Sequence, residues 1–323
     1  MQQRNHAIRL VSTKDMSREE WLAVRNQGIG SSDSAAVVGL SPYKSPLELW
    51  MEKTGRKPPD DLSANEGVYW GTVLEPVLAQ VYGEKTGAKV RRVHAVLQHY
   101  EHPHMLANLD RIVAHPQDGH GLLEIKTAGH WSEGYWEDGV PEHYQCQVLH
   151  QLAVTGKPWA DVAVLIGGQE FRTYRIERDE EKINALVELE DRFWQHVVDD
   201  TPPEVDGSES SSKALGLLYP SDSGEVVDFS DSAEMNALFQ RLVHARQDRE
   251  RIELEESTLR QQIQSAIGSA SNAIFTSGKV GWKKVKDSAS TDYKQLAAAH
   301  PDLVAQYTVQ KPGYRRFTVQ VGK

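Results

Sequence analysis

The 323-residue chain is 39% hydrophobic and 25% charged, has a formal net charge of −10 and holds one cysteine, Cys146. That size suggests roughly two domains with cores that need no staples, and the composition excludes collagen-like or wholly disordered chains, a disulfide framework, a cysteine zinc site and an iron–sulfur cluster. The start, MQQRNHAIRLVSTKD, lacks an apolar signal core and the strongly apolar stretch at 162–166 is far below the ~20 residues that span a bilayer, so a soluble cytoplasmic protein with no membrane partner is expected.

Residues 1–57 read as helices and turns. Ser17-Arg-Glu-Glu has the form of a capping box, opening a helix to Arg25. A Gly28-Ile-Gly-Ser-Ser-Asp turn feeds an apolar helix over 34–38, and Ser45-Pro46 caps a further helix, LELWMEK, which Gly55 ends. Past a polar loop, the spacing predicts a helix over 71–86 with Val73, Leu74, Val77, Leu78 and Val81 on one face. Strand-like runs follow at 90–98, 105–114 and 121–127. Then come a helix over 141–154, a strand pair at 161–166 and 170–177, and a charged helix over 179–198.

This order predicts an α/β domain over 1–203, with a mixed central sheet flanked by helices. Thr201-Pro-Pro and SESSSKALG open a flexible linker assigned to 204–231. A helical segment over 232–271 carries a sparse apolar seam, and 272–323 reads as a small basic α+β module: strand at 280–286, helix at 293–299, strand at 314–321. The charge is uneven. Residues 178–210 hold 3 basic against 11 acidic residues, whereas 273–323 hold 9 against 3. A partner responds to the local field, so overall acidity does not exclude DNA.

Asp110 falls in the second strand run, and Glu124 and Lys126 stand two apart in the third, GLLEIKTA. Residues i and i+2 of a strand share a face, so Glu124 and Lys126 point together while Ile125 points away. If the two strands are neighbours, Asp110 faces the same point. Hard carboxylate oxygens, a main-chain carbonyl at Ile125 and an ammonium suit Mg²⁺- or Mn²⁺-assisted phosphodiester hydrolysis, and Glu75 on the preceding helix offers a third carboxylate. The acid-x-Lys spacing alone says little: it also occurs at Glu180–Lys182 and Asp292–Lys294, both in predicted helices. Ordinary ion pairs at a sheet edge fit the same residues. His99, His102 and His104 form an H-x-x-H-x-H run that suggests zinc but shows no acidic or cysteine completion, and reads as a surface turn.

Several blocks in order carry a resemblance. Arg25-Asn-Gln-Gly-Ile-Gly-Ser-Ser-Asp-Ser-Ala, Ser41-Pro-Tyr-Lys-Ser-Pro-Leu-Glu-Leu-Trp, Gly71-Thr-Val-Leu-Glu75-Pro, Ala107-Asn-Leu-Asp110, Leu123-Glu124-Ile-Lys126-Thr and Tyr144-Gln-Cys-Gln147 resemble the YqaJ-like viral recombinase family. Its members are phage-type nucleases related to lambda exonuclease, within the PD-(D/E)XK superfamily, so the resemblance implies a restriction-endonuclease-like core. It implies metal ligation by Asp110, Glu124, the Ile125 carbonyl and Glu75, with Lys126 as the catalytic lysine and Gln147 completing the site. Arg25, Ser32 and Tyr144 would contact DNA, the first two at a 5′-phosphate; a helix N-terminus and a guanidinium both suit that anion. The family's proline before the aspartate is Leu109 here, and a further phosphate-binding serine is Asn108 at best.

The implied activity is a Mg²⁺-dependent (or Mn²⁺-dependent) nuclease with two metal ions per site. Most specifically, it is a 5′→3′ exonuclease on double-stranded DNA ends that serves a single-strand annealing protein, as a trimeric ring. An endonuclease of the same superfamily and a non-catalytic DNA- or protein-binding module stay open.

Overall fold

Alternation along Leu122, Leu123, Glu124, Ile125 and Lys126 sets the architecture around the candidate site, because the two faces of this strand are covered by different helices. The computed structural model describes residues 7–321. Residues 1–6, within the start read as lacking a signal core, and 322–323, at the end of the expected tail module, lie outside the described residues. The chain divides into two units, Met1–Tyr219 and Pro220–Lys323.

The first unit opens with β1 (Ile8–Ser12), α1 (Arg18–Arg25), β2 (Ile29–Gly30), a 3-10 turn (Ser31–Asp33), α2 (Ser34–Val37), α3 (Pro46–Lys53) and α4 (Glu66–Thr86). Five strands follow: β3 (Lys89–Arg91), β4 (Ala95–Gln98), β5 (Met105–Ala107), β6 (Arg111–His115) and β7 (Gly119–Ala128). A 3-10 turn (His130–Trp136) leads to α5 (Glu142–Thr155), β8 (Trp159–Ile166), β9 (Glu170–Glu177), α6 (Glu180–Val198) and α7 (Glu209–Leu218). The Ser17–Glu20 capping box is formed as expected.

The main sheet has the order β3-β6-β7-β8-β9. Only β7 and β8 run parallel; a parallel pair needs a crossover, which α5 supplies. Leu123 and Ile125 pack with Leu78, Ala79 and Tyr82 of α4 on one face. Leu122 packs with Val148, Leu149 and Leu152 of α5 and Ile183 and Leu186 of α6 on the other. Burial on both faces explains the nearly unbroken apolar run of β8. Tyr82 donates to Asp161 at 2.6 Å and Arg175 grips the same carboxylate at 2.7 and 2.9 Å, which fixes α4 against β8 and β9. This is the mixed α/β core flanked by helices that the order of elements predicts. A second sheet, β1-β4-β5-β2, holds the N-terminal segments.

Several sequence expectations are corrected. The N-terminal region contains β1, a largely exposed edge strand whose IRLVS offers almost no burial signal. The runs at 90–98 and 105–114 each break in two, because the chain passes from one sheet to the other within them. Asp110 consequently sits in the bend before β6, not inside a strand. Helix α4 starts at Glu66, capped by Asn65, and Val73 and Val77 are exposed because only its C-terminal half, through Leu78, Ala79 and Tyr82, is buried. The stretch 204–231 is not wholly a linker: α7 docks on α3, with Ser210 hydrogen-bonded to Ser45 at 2.8 Å and Ala214 buried.

The second unit has α8 (Ala233–Ile267), the hairpin β10 (Asn272–Phe275) and β11 (Gly278–Gly281), α9 (Tyr293–Ala299) and α10 (Pro301–Tyr307). The strand expected at 280–286 ends at Gly281, and 314–321 forms no strand among the described residues. Alternation of polar and aromatic residues there is not enough without a pairing partner.

A buried ion pair ties the layers together. His150 of α5 and Glu190 of α6 are both fully buried, 2.9 Å apart, and His150 Nε2 lies 3.0 Å from the Leu106 carbonyl of β5. Both ring nitrogens face acceptors, which requires an imidazolium. Burial alone would lower the His150 pKa, but Glu190 overcomes it and the net shift is upward. Stability from a raised histidine is fully present below its unfolded-state pKa and is lost as pH rises through the folded value. Accordingly, His150→Ala, which strands the Glu190 carboxylate, should cost about 3–5 kcal/mol in urea unfolding at pH 6. The double variant His150→Leu/Glu190→Met should recover most of it.

Candidate active site

Glu124 and Lys126 project from β7 toward α5, on the face opposite Leu123 and Ile125. Antiparallel pairing of β6 with β7 sets Arg111 across from Leu123, so the same register carried one step further sets Asp110 across from Glu124. The Asp110 carboxylate accepts the Ile125 N–H at 2.8 Å. Neighbouring strands therefore bring Asp110, Glu124 and Lys126 together.

Every oxygen of Glu124 is addressed. Lys126 Nζ donates to Oε1 at 2.5 Å, the Gln147 amide to the same atom at 2.6 Å, and the Gln151 amide to Oε2 at 2.7 Å. Lys126 also donates to Gln147 Oε1 at 3.0 Å. Its ammonium lies 4.7 Å from the centroid of the Tyr144 ring, a cation–π contact that steadies it. Tyr144 in turn stacks on Trp136. Tyr144 thus faces the lysine, although its resemblance-based role was contact with DNA. Gln151 was missed by sequence reasoning; its signal is helical, since Tyr144, Gln147 and Gln151 fall at i, i+3 and i+7 of one α5 face.

Glu75 stands apart. It lies on α4, the helix covering the other face, and pairs with Arg111, which shares that face by strand alternation; Arg92 is 3.8 Å away. The carboxylate oxygens of Glu75, Asp110 and Glu124 do not all fall within 4.8 Å of one another. The compact set is Asp110, Glu124 and the main chain at Ile125, with Glu75 held behind it by Arg111.

The electrostatics are those of crowded like charges. Burial first, then the Glu124 carboxylate, push the Asp110 carboxyl up to about 8, against the opposing pull of Lys126 and the Ile125 N–H. Burial would lower Lys126, but Glu124 and Asp110 outweigh it and the amine stays protonated. A divalent cation fits this donor set: two hard carboxylates in mutual repulsion are what such an ion relieves.

A second cluster forms where α1 ends. Arg25 contacts the Ser32 hydroxyl and pairs with Asp33 at 2.8 Å, while Lys53 of α3 reaches the other Asp33 oxygen at 2.8 Å. Burial would raise Asp33, yet Arg25 and Lys53 hold it well below the usual carboxylate range. Close approach here requires glycine: a Cβ on Gly28 would lie 2.4 Å from the His104 carbonyl, and one on Gly30 would lie 2.9 Å from Arg25 Nε. The 3-10 turn carrying Ser32 packs against α5, the helix of Gln147 and Gln151. Asp33 and Lys53 were not anticipated, because α3 approaches only in three dimensions. Trp131 and Tyr135, just past β7, are exposed, whereas Trp136 is buried.

A carboxyl raised by folding binds its proton more tightly in the native state, so the metal-free protein loses stability as pH climbs from about 4 to about 8. Replacing the acid with a neutral amide removes that loss. Asp110→Asn should raise the melting temperature of metal-free protein at pH 8 by at least about 3 °C, measured by calorimetry, with a smaller gain at pH 5.

Residues 20–158 match the family model described as the YqaJ-like viral recombinase domain. The chain is 34% identical over 316 residues to the uncharacterized protein YqaJ of Bacillus subtilis (strain 168), covering 96% of this chain and 97% of that one. It is 27% identical over 161 residues to the uncharacterized protein R354 of Acanthamoeba polyphaga mimivirus, covering 46% of this chain and 28% of the relative. Among solved structures, it is similar to an alkaline exonuclease, LHK-Exo, from Laribacter hongkongensis, with 26% identity and a TM-score of 0.48 over 56% of this chain and 93% of that chain. No helix among the described residues is long and apolar enough to cross a membrane. By its extended match to YqaJ and the placement of the domain, this chain belongs to the YqaJ-like viral recombinase family.

Proposed function

We propose that the chain is a metal-dependent deoxyribonuclease acting 5′→3′ on the ends of linear double-stranded DNA. The observation that carries this reading is the crowded Asp110–Glu124 pair with the Lys126 ammonium 2.5 Å from Glu124. Family membership and the Arg25–Ser32 cluster support it. Asp110, Glu124 and the Ile125 carbonyl would hold Mg²⁺ or Mn²⁺, two ions per site by resemblance, with Glu75 behind them. When bound, such ions polarise the phosphodiester and orient the attacking water.

The chain's own residues supply the rest. Gln147 and Gln151 hold Glu124 in one orientation, so the carboxylate needs no reorganisation when substrate arrives. Lys126, kept protonated, neutralises charge that grows on the phosphate oxygens; a protonated amine does not serve as the base that takes the water's proton. Arg25, with the Ser32 hydroxyl, binds the terminal 5′-phosphate, and Asp33 and Lys53 hold the guanidinium in place. Exposed Trp131 and Tyr135 offer stacking surfaces for an unpaired base. Digestion with this polarity leaves a 3′ single strand, the substrate of an annealing protein, and a trimeric ring around the duplex is the assembly the resemblance implies.

Linear duplex incubated with Mg²⁺ should release nucleotides, faster from 5′-phosphate than from 5′-hydroxyl ends, while covalently closed circles stay intact. Lys126→Ala should reduce turnover at least about 100-fold, the loss of transition-state charge stabilisation. Arg25→Ala should instead erase the preference for a 5′-phosphate. Intact linear DNA under these conditions, or equal cutting of closed circles, overturns the reading.

A further inference from the structure

The H-x-x-H-x-H turn between β4 and β5 acquires in three dimensions the acidic residue its sequence lacks. His102 Nδ1 lies 2.9 Å and His104 Nε2 3.0 Å from the same atom, Oδ1 of Asp191 on α6. The three ligand atoms are all within 4.8 Å of one another. His104 Nε2 is enclosed from solvent and, despite its closeness to Asp191, sits outside hydrogen-bond geometry and has no other partner. An imidazole nitrogen left buried without a hydrogen bond needs a reason to be there.

The surrounding structure fixes the donors. His99 Nδ1 accepts the main-chain N–H groups of Glu101 and His102 at 3.1 Å, and Gln98 donates to the Pro103 carbonyl at 2.7 Å, so the turn is cross-braced. Trp194, one helical turn after Asp191, stacks on the His104 ring at 5.8 Å and 11°. The histidines and the aspartate thus come from two braced elements.

We propose that His102 Nδ1, His104 Nε2 and Asp191 Oδ1 form a second metal site, distinct from the Asp110–Glu124 pair, that binds Zn²⁺ with its fourth position open to water. Two imidazoles and one carboxylate are a borderline-soft set that suits Zn²⁺ and disfavours Mg²⁺. Tetrahedral zinc places such ligands about 3.3 Å apart, so the turn needs to open by only a few tenths of an ångström. The site fastens α6 to the β4–β5 turn. Because the His104 carbonyl accepts the Ile29 N–H at 2.6 Å, the same turn holds β2, which leads into Ser31, Ser32 and Asp33. Zinc there stabilises the scaffold of the anion cluster.

The test uses the full chain carrying Asp110→Asn, which weakens metal binding at the carboxylate pair, freed of metal and titrated with Zn²⁺ against a chromophoric chelator. One equivalent should bind and raise the melting temperature. Adding His102→Gln or Asp191→Asn, both at partly exposed positions, should weaken binding at least about tenfold and remove the thermal shift, with circular dichroism unchanged. Cobalt substitution should give the visible absorption of a four-coordinate ion in the parent only. Zinc binding that is absent from the folded parent, or unaltered by both substitutions, overturns the proposal.

Discussion

The Glu124 carboxylate is the point on which the first unit is organised. Lys126 from its own strand and Gln147 and Gln151 from α5 hold both its oxygens, so the crossover helix is at once core packing and part of the site. Across from it, Asp110 is pinned by the main chain at Ile125. Two carboxylates so placed repel each other in a region shielded from water, and this repulsion is unfavourable for the metal-free fold. The fold tolerates it because large apolar faces cover both sides of the sheet and because the pair, once neutralised by a cation, becomes a binding element.

That cost is offset elsewhere by charges arranged to attract. Asp33 sits between Arg25 and Lys53, Asp161 between Tyr82 and Arg175, and Glu190 on His150. Each of these pairs joins two separate elements, and removing one partner from a buried pair leaves an unpaired buried charge. Arg25 is partly exposed and its guanidinium lies beside the Ser32 hydroxyl, which leaves it available to an incoming anion. An acidic chain can therefore still present a local positive feature to an anion.

Periodicity made much of this legible. The alternation through GLLEIKTA separates Glu124 and Lys126 from Ile125, and the helix–strand order implies a mixed sheet flanked by helices; both are as the structure has them. What periodicity did not carry was the path of the chain between sheets. Asn108, Leu109 and Asp110 look like the middle of one strand because they are flanked by apolar residues on either side, yet the chain changes sheets there. The Glu75–Arg111 pair was not legible either, because a helix offers no indication of which face of the sheet it will cover. Gln151 is flagged only by its place on the Tyr144–Gln147 face of α5, whereas Lys53 and Asp191 matter through contacts made over longer sequence distances, and no local pattern reports those. Asp191 is the plainest instance: a single acidic residue in a charged helix completes a histidine set 87 residues away.

The most direct test of the central claim is anomalous diffraction from crystals soaked in Mn²⁺. A peak is expected within bonding distance of the Asp110 and Glu124 carboxylates and the Ile125 carbonyl, absent in crystals of Asp110→Asn. A fully occupied manganese site elsewhere in the first unit, with these two side chains left uncoordinated, would contradict it.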